Sequence, residues 1–182
     1  MDSALRTKSG SGATPPGDSG FESQPMFDLI ELLFFAYRDF VGDADRMLAN
    51  IGFGRAHHRV LHFVNRQPGL TIAELLDILR ITKQSLARVL KELLDHDYVE
   101  QRAGIVDRRQ RLLFPTAAGQ QLALDLARLQ SERFLRALDD LPADARAAAI
   151  AFFMAMIDPE ERDKVASVVW RTPATARARP TL

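Results

Sequence analysis

Apolar residues recur at helical spacing along most of this chain, and the exception, two short β-type strings near its middle, marks its architecture. From residue 27 to 49 they fall on nearly every face: Phe27, Leu29, Ile30, Leu32, Leu33, Phe34, Phe35, Tyr37, Phe40 and Val41. A helix apolar all round has to be covered all round. One core of this size cannot do that, so the segment predicts a helix that needs a second subunit. Residues 55–66 predict a second helix, stopped by Pro68-Gly69. Thr71 and Glu74 have capping-box spacing, with Leu70 and Leu75 as a hydrophobic staple, so a helix starts there and runs to about Leu79. Thr82 caps the next, with Ile81 and Leu86 as its staple. In that helix Leu86, Val89, Leu90, Leu93 and Leu94 recur at i, i+3, i+4, i+7 and i+8, a stripe that buries one face. Lys83, Gln84, Ser85, Arg88, Lys91 and Glu92 occupy the opposite one.

The β-type strings are Tyr98-Val99-Glu100 and Leu112-Leu113-Phe114, with Gly104 marking the turn between them. Pro115 ends the second string, and Thr116 caps a long helix reaching about Leu138. Pro142 predicts the start of another, reaching about Ile157. Asp158-Pro159-Glu160-Glu161 is a fresh helix start, with an acidic cap and proline at the first position, leading into Val165–Trp170. Residues 1–25 are rich in Ser, Gly and Pro and are expected to be disordered, as is the tail 172–182. The predicted fold is mainly α with a small β-hairpin wing. A winged helix-turn-helix core covers about 54–115, and the N- and C-terminal helices, about 27–49 and 116–170, form a second, helical lobe.

Charge sharpens this picture only when it is divided along the chain. Lys and Arg total 24, as do Asp and Glu, so the net formal charge is zero. Residues 54–115, however, hold 11 basic and 7 acidic side chains, while 27–53 hold 2 and 5, and 116–170 hold 6 and 9. A basic centre between acidic helical flanks points to an anionic partner at the centre. The chain has no cysteine, which excludes disulfides, thiolate metal sites and thiol-based sensing. There is no signal-peptide pattern, and the longest apolar run, Ala147 to Ile157, has 11 residues where a membrane-spanning helix needs about 20. A cytoplasmic protein without a membrane partner is expected.

The chemistry of the centre is that of a duplex binder. A helix laid in the major groove by its N-terminal residues would present Thr82, Lys83, Gln84, Ser85 and Arg88. Gln reads adenine and Arg reads guanine through paired hydrogen bonds, whereas Lys83 suits phosphate. At the hairpin tip Arg102, Arg108, Arg109 and Arg111 stand against one acid, Asp107. An arginine on a narrow hairpin suits the minor groove. An acid beside a polyanion needs a structural task, and we expect Asp107 to pair with Arg109 and fix the tip.

These residues also carry a resemblance. The segment resembles the MarR family of winged-helix regulators, whose wing has an Asp-x-Arg pattern, then a strand, then a Leu-Thr-x-x-Gly helix start. Here the run is Asp107-Arg108-Arg109, Leu112-Leu113-Phe114 and Pro115-Thr116-Ala117-Ala118-Gly119, with proline where leucine is usual. In helix order the resemblance covers roughly residues 27–157. It implies a homodimer built from the first and last helices, a pseudo-palindromic double-stranded DNA operator, and a small-molecule effector bound between the lobes. An effector-responsive repressor is the expected function.

Other features are weaker. Phe34, Phe35, Arg38 and His58 are the candidates for effector contact, with Arg38 facing an anionic group; an ion pair of Arg38 with Asp39, Asp43 or an acid across the dimer is the alternative. Among the clustered His57, His58 and His62, the last two have the spacing of two metal ligands but lack an evident third, so neutral core or pocket-wall histidines are expected, with no metal and no cofactor. No Gly-x-Ser-x-Gly, Walker loop or His-Glu-x-x-His occurs, and no enzyme is expected. The rival reading from another class is a winged helix that docks an acidic protein and reads no bases.

Overall fold

In the computed structural model three helices start where a threonine hydroxyl, of Thr71, Thr82 or Thr116, caps a backbone N–H of the first turn. Residues 25–104 and 107–171 are described; the tails expected at 1–25 and 172–182 lie outside them, apart from Pro25. The order is α1 (Phe27–Ala49), α2 (Arg55–Arg66), β1 (Leu70–Thr71), α3 (Ile72–Leu79), α4 (Lys83–Asp95), β2 (Val99–Ala103), β3 (Arg111–Pro115), α5 (Ala117–Asp139), α6 (Ala145–Met156) and α7 (Arg162–Val169), with a 3-10 turn at Pro159–Glu161. At α3 the Thr71 hydroxyl accepts from Glu74 N (3.2 Å) while the Glu74 carboxylate accepts from Thr71 N (2.8 Å), the reciprocal box read from the sequence. No helix among the described residues is long and apolar enough to cross a membrane.

The described residues fall into two compact units that part within α1, one up to Ala36 and one from Tyr37. In the first, Phe27, Leu32, Phe34 and Phe35 are each more than half exposed. The second holds the core. Ala44 and Leu48 from α1, Val60, Leu61 and Val64 from α2, Leu75 and Leu79 from α3, the α4 stripe, Val99, Leu113, and Ala123 and Leu126 from α5 pack into one cluster. Within it α5 also meets the C-terminal half of α1: Arg133 donates twice to Asp43, at 3.2 and 2.7 Å, and Phe40 lies 5.3 Å from Phe134. The Arg133 guanidinium holds the Asp43 carboxyl below the usual carboxylate range.

Two elements differ from expectation. The wing is not a bare hairpin: Leu70 and Thr71 pair antiparallel with Leu113 and Leu112, giving a three-stranded sheet in the order β1-β3-β2. The two-residue β1 has no strand pattern of its own and exists because β3 offers it an edge. The helix expected from Pro142 begins instead at Ala145, because the Ala145 N–H donates to the Pro142 carbonyl (2.9 Å) and closes a turn first.

The C-terminal segment is fastened to the winged core. Arg80 pairs with Glu161 (2.7 Å), Lys164 with Asp77 (2.5 Å), and Arg66 donates to the Val169 carbonyl (3.3 Å). Arg80 ends α3 in the left-handed region (φ 50°, ψ 47°), a conformation that costs a non-glycine residue about 1 kcal/mol or more. Its N–H still closes on the Leu76 carbonyl (2.9 Å), so the sharp turn into α4 is made without glycine.

Candidate nucleic-acid interface

Burial of the α4 stripe sets which residues α4 can offer a ligand. Leu86, Val89, Leu90 and Leu93 are all buried, and Leu94 is partly so, which turns Lys83, Gln84, Ser85 and Arg88 outward. Thr82 is the N-cap, its hydroxyl accepting from Ser85 N (3.1 Å) and donating to Ser85 Oγ (2.9 Å). Thr82 is thus occupied in shaping the helix start, and Ser85 keeps its own hydroxyl hydrogen for an outside acceptor. Among the described residues no hydrogen bond or ion pair holds Lys83 or Gln84. The N-terminus of α4 adds partial positive charge at the same place, favouring an anion.

The second group is the wing tip. β2 and β3 pair as far as Ala103 opposite Arg111, and Gly104 N–H donates to Gln110 O (3.0 Å). Asp107 meets Arg109 through the main chain: its carboxylate accepts from the backbone N–H of Arg109 (2.9 Å), and Gln110 N–H donates to the Asp107 carbonyl (3.1 Å). The brace therefore grips the Arg109 main chain and leaves its guanidinium available. Arg108, Arg109 and Arg111 are exposed. Arg102 is not of this group, since it lies 4.3 Å over the Phe114 ring and pairs with Glu100.

The effector candidates fall in both compact units. Phe34 and Phe35 belong to the N-terminal unit, Arg38 and His58 to the other. Arg38 donates to the adjacent Asp39 (2.8 Å), the ion-pair alternative noted above. His58 is buried, and its ring meets His62 edge-on at 6.5 Å. Among the described residues no group of three or more His, Cys, Asp or Glu is placed to hold a metal. Burial pushes the imidazoles of His58 and His62 below their ordinary value. In the unfolded chain both return to about 6.5, so the unfolded state takes up protons first as pH falls. Stability is expected to be full above that value and to decline as pH drops below it. Urea melts of the wild type and His62→Gln between about pH 7 and 5 test this; parallel pH profiles would remove His62 from the account.

The partner of one histidine was not foreseen. His57, buried and stacked on Phe53 (4.5 Å, 6°), accepts from Gly54 N–H at Nδ1 (3.1 Å) and meets Glu92 on the outer part of α4 through Nε2 (2.5 Å). Only its place three residues after a helix-capping glycine hinted at a role.

Residues 51–110, which contain α2 to α4, β2 and the wing tip but not β3, match the model of the MarR family. A relative, the HTH-type transcriptional regulator PetP of Rhodobacter capsulatus, is 45% identical over 133 residues, 73% of this chain and 80% of the relative. The chain belongs to the MarR family. It is a transcriptional regulator of that family, not an enzyme. Solved structures share its fold: FabT of Streptococcus pneumoniae, solved in complex with DNA, superposes with a TM-score of 0.65 at 15% identity, covering 72% of this chain and 94% of FabT. A MarR transcriptional regulator from Methanosarcina mazei gives 0.63 at 22% identity, covering 78% and 94%. The winged-helix expectation therefore holds, with β1 as the addition.

Proposed function

We propose that this MarR-family regulator is a homodimeric, effector-responsive repressor of a pseudo-palindromic operator. Residues 26–171 would form the domain, with the winged core at 54–115 and the dimerisation helices at 27–49 and 116–170. The observation that carries the reading is the outward start of α4, where the Lys83 and Gln84 side chains have no partner among the described residues, beside a wing whose tip arginines are exposed while their acid is turned to the backbone. Gln84 and Arg88 are assigned to base edges, Lys83 and Ser85 to bases or phosphate, Thr82 to the cap and the adjacent phosphate, and Arg108, Arg109 and Arg111 to the minor groove and its rim. Half-sites are expected about one helical turn apart. The dimer is supported by large apolar side chains left exposed in each unit: Phe27, Leu32 and Phe34 in one, and Leu135, Phe152 and Trp170 in the other. Effector response rests on the family resemblance.

A mobility shift across a salt series, with the DNA upstream of the chain's own gene, tests the reading. The wild type should prefer that DNA over random duplex. Arg109→Ala should weaken binding and lower the slope of log affinity against log salt by about 1. No preference at any salt would remove the operator from the account. Sedimentation of the free protein as a monomer would remove the dimer.

A further inference from the structure

Glu92 is an acid in an unfavourable place. It stands in the last turn of α4, where the helix dipole disfavours negative charge. It also lies four residues after Arg88, the weaker order for a helical ion pair, and on the element assigned to a polyanion. Intrinsic helix stability gives no reason for a carboxylate here. Its two oxygens give one. Oε2 accepts from His57 Nε2 at 2.5 Å, and Oε1 faces Arg88 Nη1 at 3.9 Å.

The histidine end of this chain is rigid. The Gly54 N–H donates to Nδ1 (3.1 Å), so Nδ1 carries no proton, Nε2 does, and the imidazole can only donate toward Glu92. The ring lies flat on Phe53, whose own edges meet His96 (5.3 Å) and Tyr98 (5.4 Å). The other end is open: the Arg88 side chain is 72% exposed against 9% for His57. A buried, oriented donor thus holds a half-exposed carboxylate, and the carboxylate stands beside a guanidinium that nothing else restrains among the described residues.

We propose that His57 and Glu92 are positioning residues for Arg88, holding its guanidinium in the orientation from which it reads one base pair of the operator. The proposal rests on the assignment of α4 to the major groove. An arginine held in advance loses less freedom on docking and tolerates fewer alternative hydrogen-bonding poses. The pair should therefore govern discrimination at one base pair more than overall affinity. Removing the Glu92 charge should move the two in opposite directions, because an acid facing phosphate opposes binding while helping selectivity.

The test is competition binding of the full chain against the upstream duplex and its single-base-pair variants. Arg88→Ala should lose roughly tenfold discrimination at one symmetry-related base pair. Glu92→Gln should lose discrimination at that same base pair, with total affinity unchanged or raised. His57→Phe should match Glu92→Gln in discrimination. His57→Gln, which retains both an acceptor for Gly54 N–H and a donor for Glu92, should restore it. If Glu92→Gln keeps the wild-type profile at the position Arg88→Ala affects, the proposal is overturned while the DNA reading stands. If Arg88→Ala changes no position, Arg88 reads no base and the proposal falls with that assignment. If the wild type prefers no duplex, the operator reading fails first and takes the proposal with it. Should His57→Phe not fold, the surface variant Glu92→Gln decides alone.

Discussion

Gly119→Ala is expected to destabilise the protein by about 3 kcal/mol or more, although the same change at most helical positions stabilises by about 1 kcal/mol. Gly119 lies in the first turn of α5, and a Cβ there would sit 1.8 Å from the Tyr98 carbonyl oxygen and 2.8 Å from its carbon. These are backbone atoms, so no rotamer relieves the clash. The start of α5 would have to withdraw, and two hydrogen bonds hold it where it is. Thr116 N–H donates to the Tyr98 carbonyl (3.2 Å), and the Thr116 hydroxyl donates to the Asp97 carbonyl (2.6 Å) while accepting from Gly119 N (3.0 Å). Intramolecular hydrogen bonds are worth about 1 kcal/mol each, and losing them adds to the steric cost. The Thr-x-x-Gly run is thereby explained in physical terms: threonine ties α5 to the backbone before β2, and glycine lets it come that close. Urea denaturation reads the effect; a midpoint at or above that of the wild type would show that the junction yields more easily than its geometry implies.

Leu93→Ala should cost about 2–5 kcal/mol. Leu93 is fully buried in the cluster that α4 shares with α2, α5 and the sheet, so truncation leaves a cavity that neighbours from several elements line. A domain of this size has a total stability of order 10 kcal/mol, so the loss is a large fraction of it. The instructive comparison is Arg88→Ala, one turn away on the opposite face. That change should leave the stability within about 0.5 kcal/mol of wild type, as expected for a surface position, and act on DNA alone. Thermal melts and binding curves on both variants separate the faces: one buries and the other reads. Equal loss of stability in the two would contradict the burial pattern.

The features legible in the sequence are those whose physics is local. Thr71 with Glu74, Thr82 with Ser85, and Thr116 with Gly119 each sit within one turn of the N–H groups they cap, so spacing alone locates them. The stripe from Leu86 to Leu94 was legible because one face of a helix repeats every 3.6 residues. What stayed hidden depends on distant partners. β1 is two residues that become a strand only when Leu113 and Leu112 arrive beside them. His57 acts on Glu92, 35 positions away, and nothing near it in sequence foretells that. Pro142 misled because proline suits a first helical turn and a preceding turn equally well. The wing acid was legible as a brace, but its partner, a main-chain N–H in place of a guanidinium, was not.

The order of the sheet has a mechanical consequence. β3 is the middle strand, bonded on one edge to β2 and on the other to the two residues that lead into α3, and its Leu113 is fully buried between them. The wing is therefore a lever with its fulcrum inside the core. Tilting its tip independently would break the Leu70–Leu113 pairing and disturb the capped start of α3, the helix before α4. Wing and α4 are accordingly expected to travel as one body, and under the proposed function a transition that displaced either from a duplex would withdraw both in a single step.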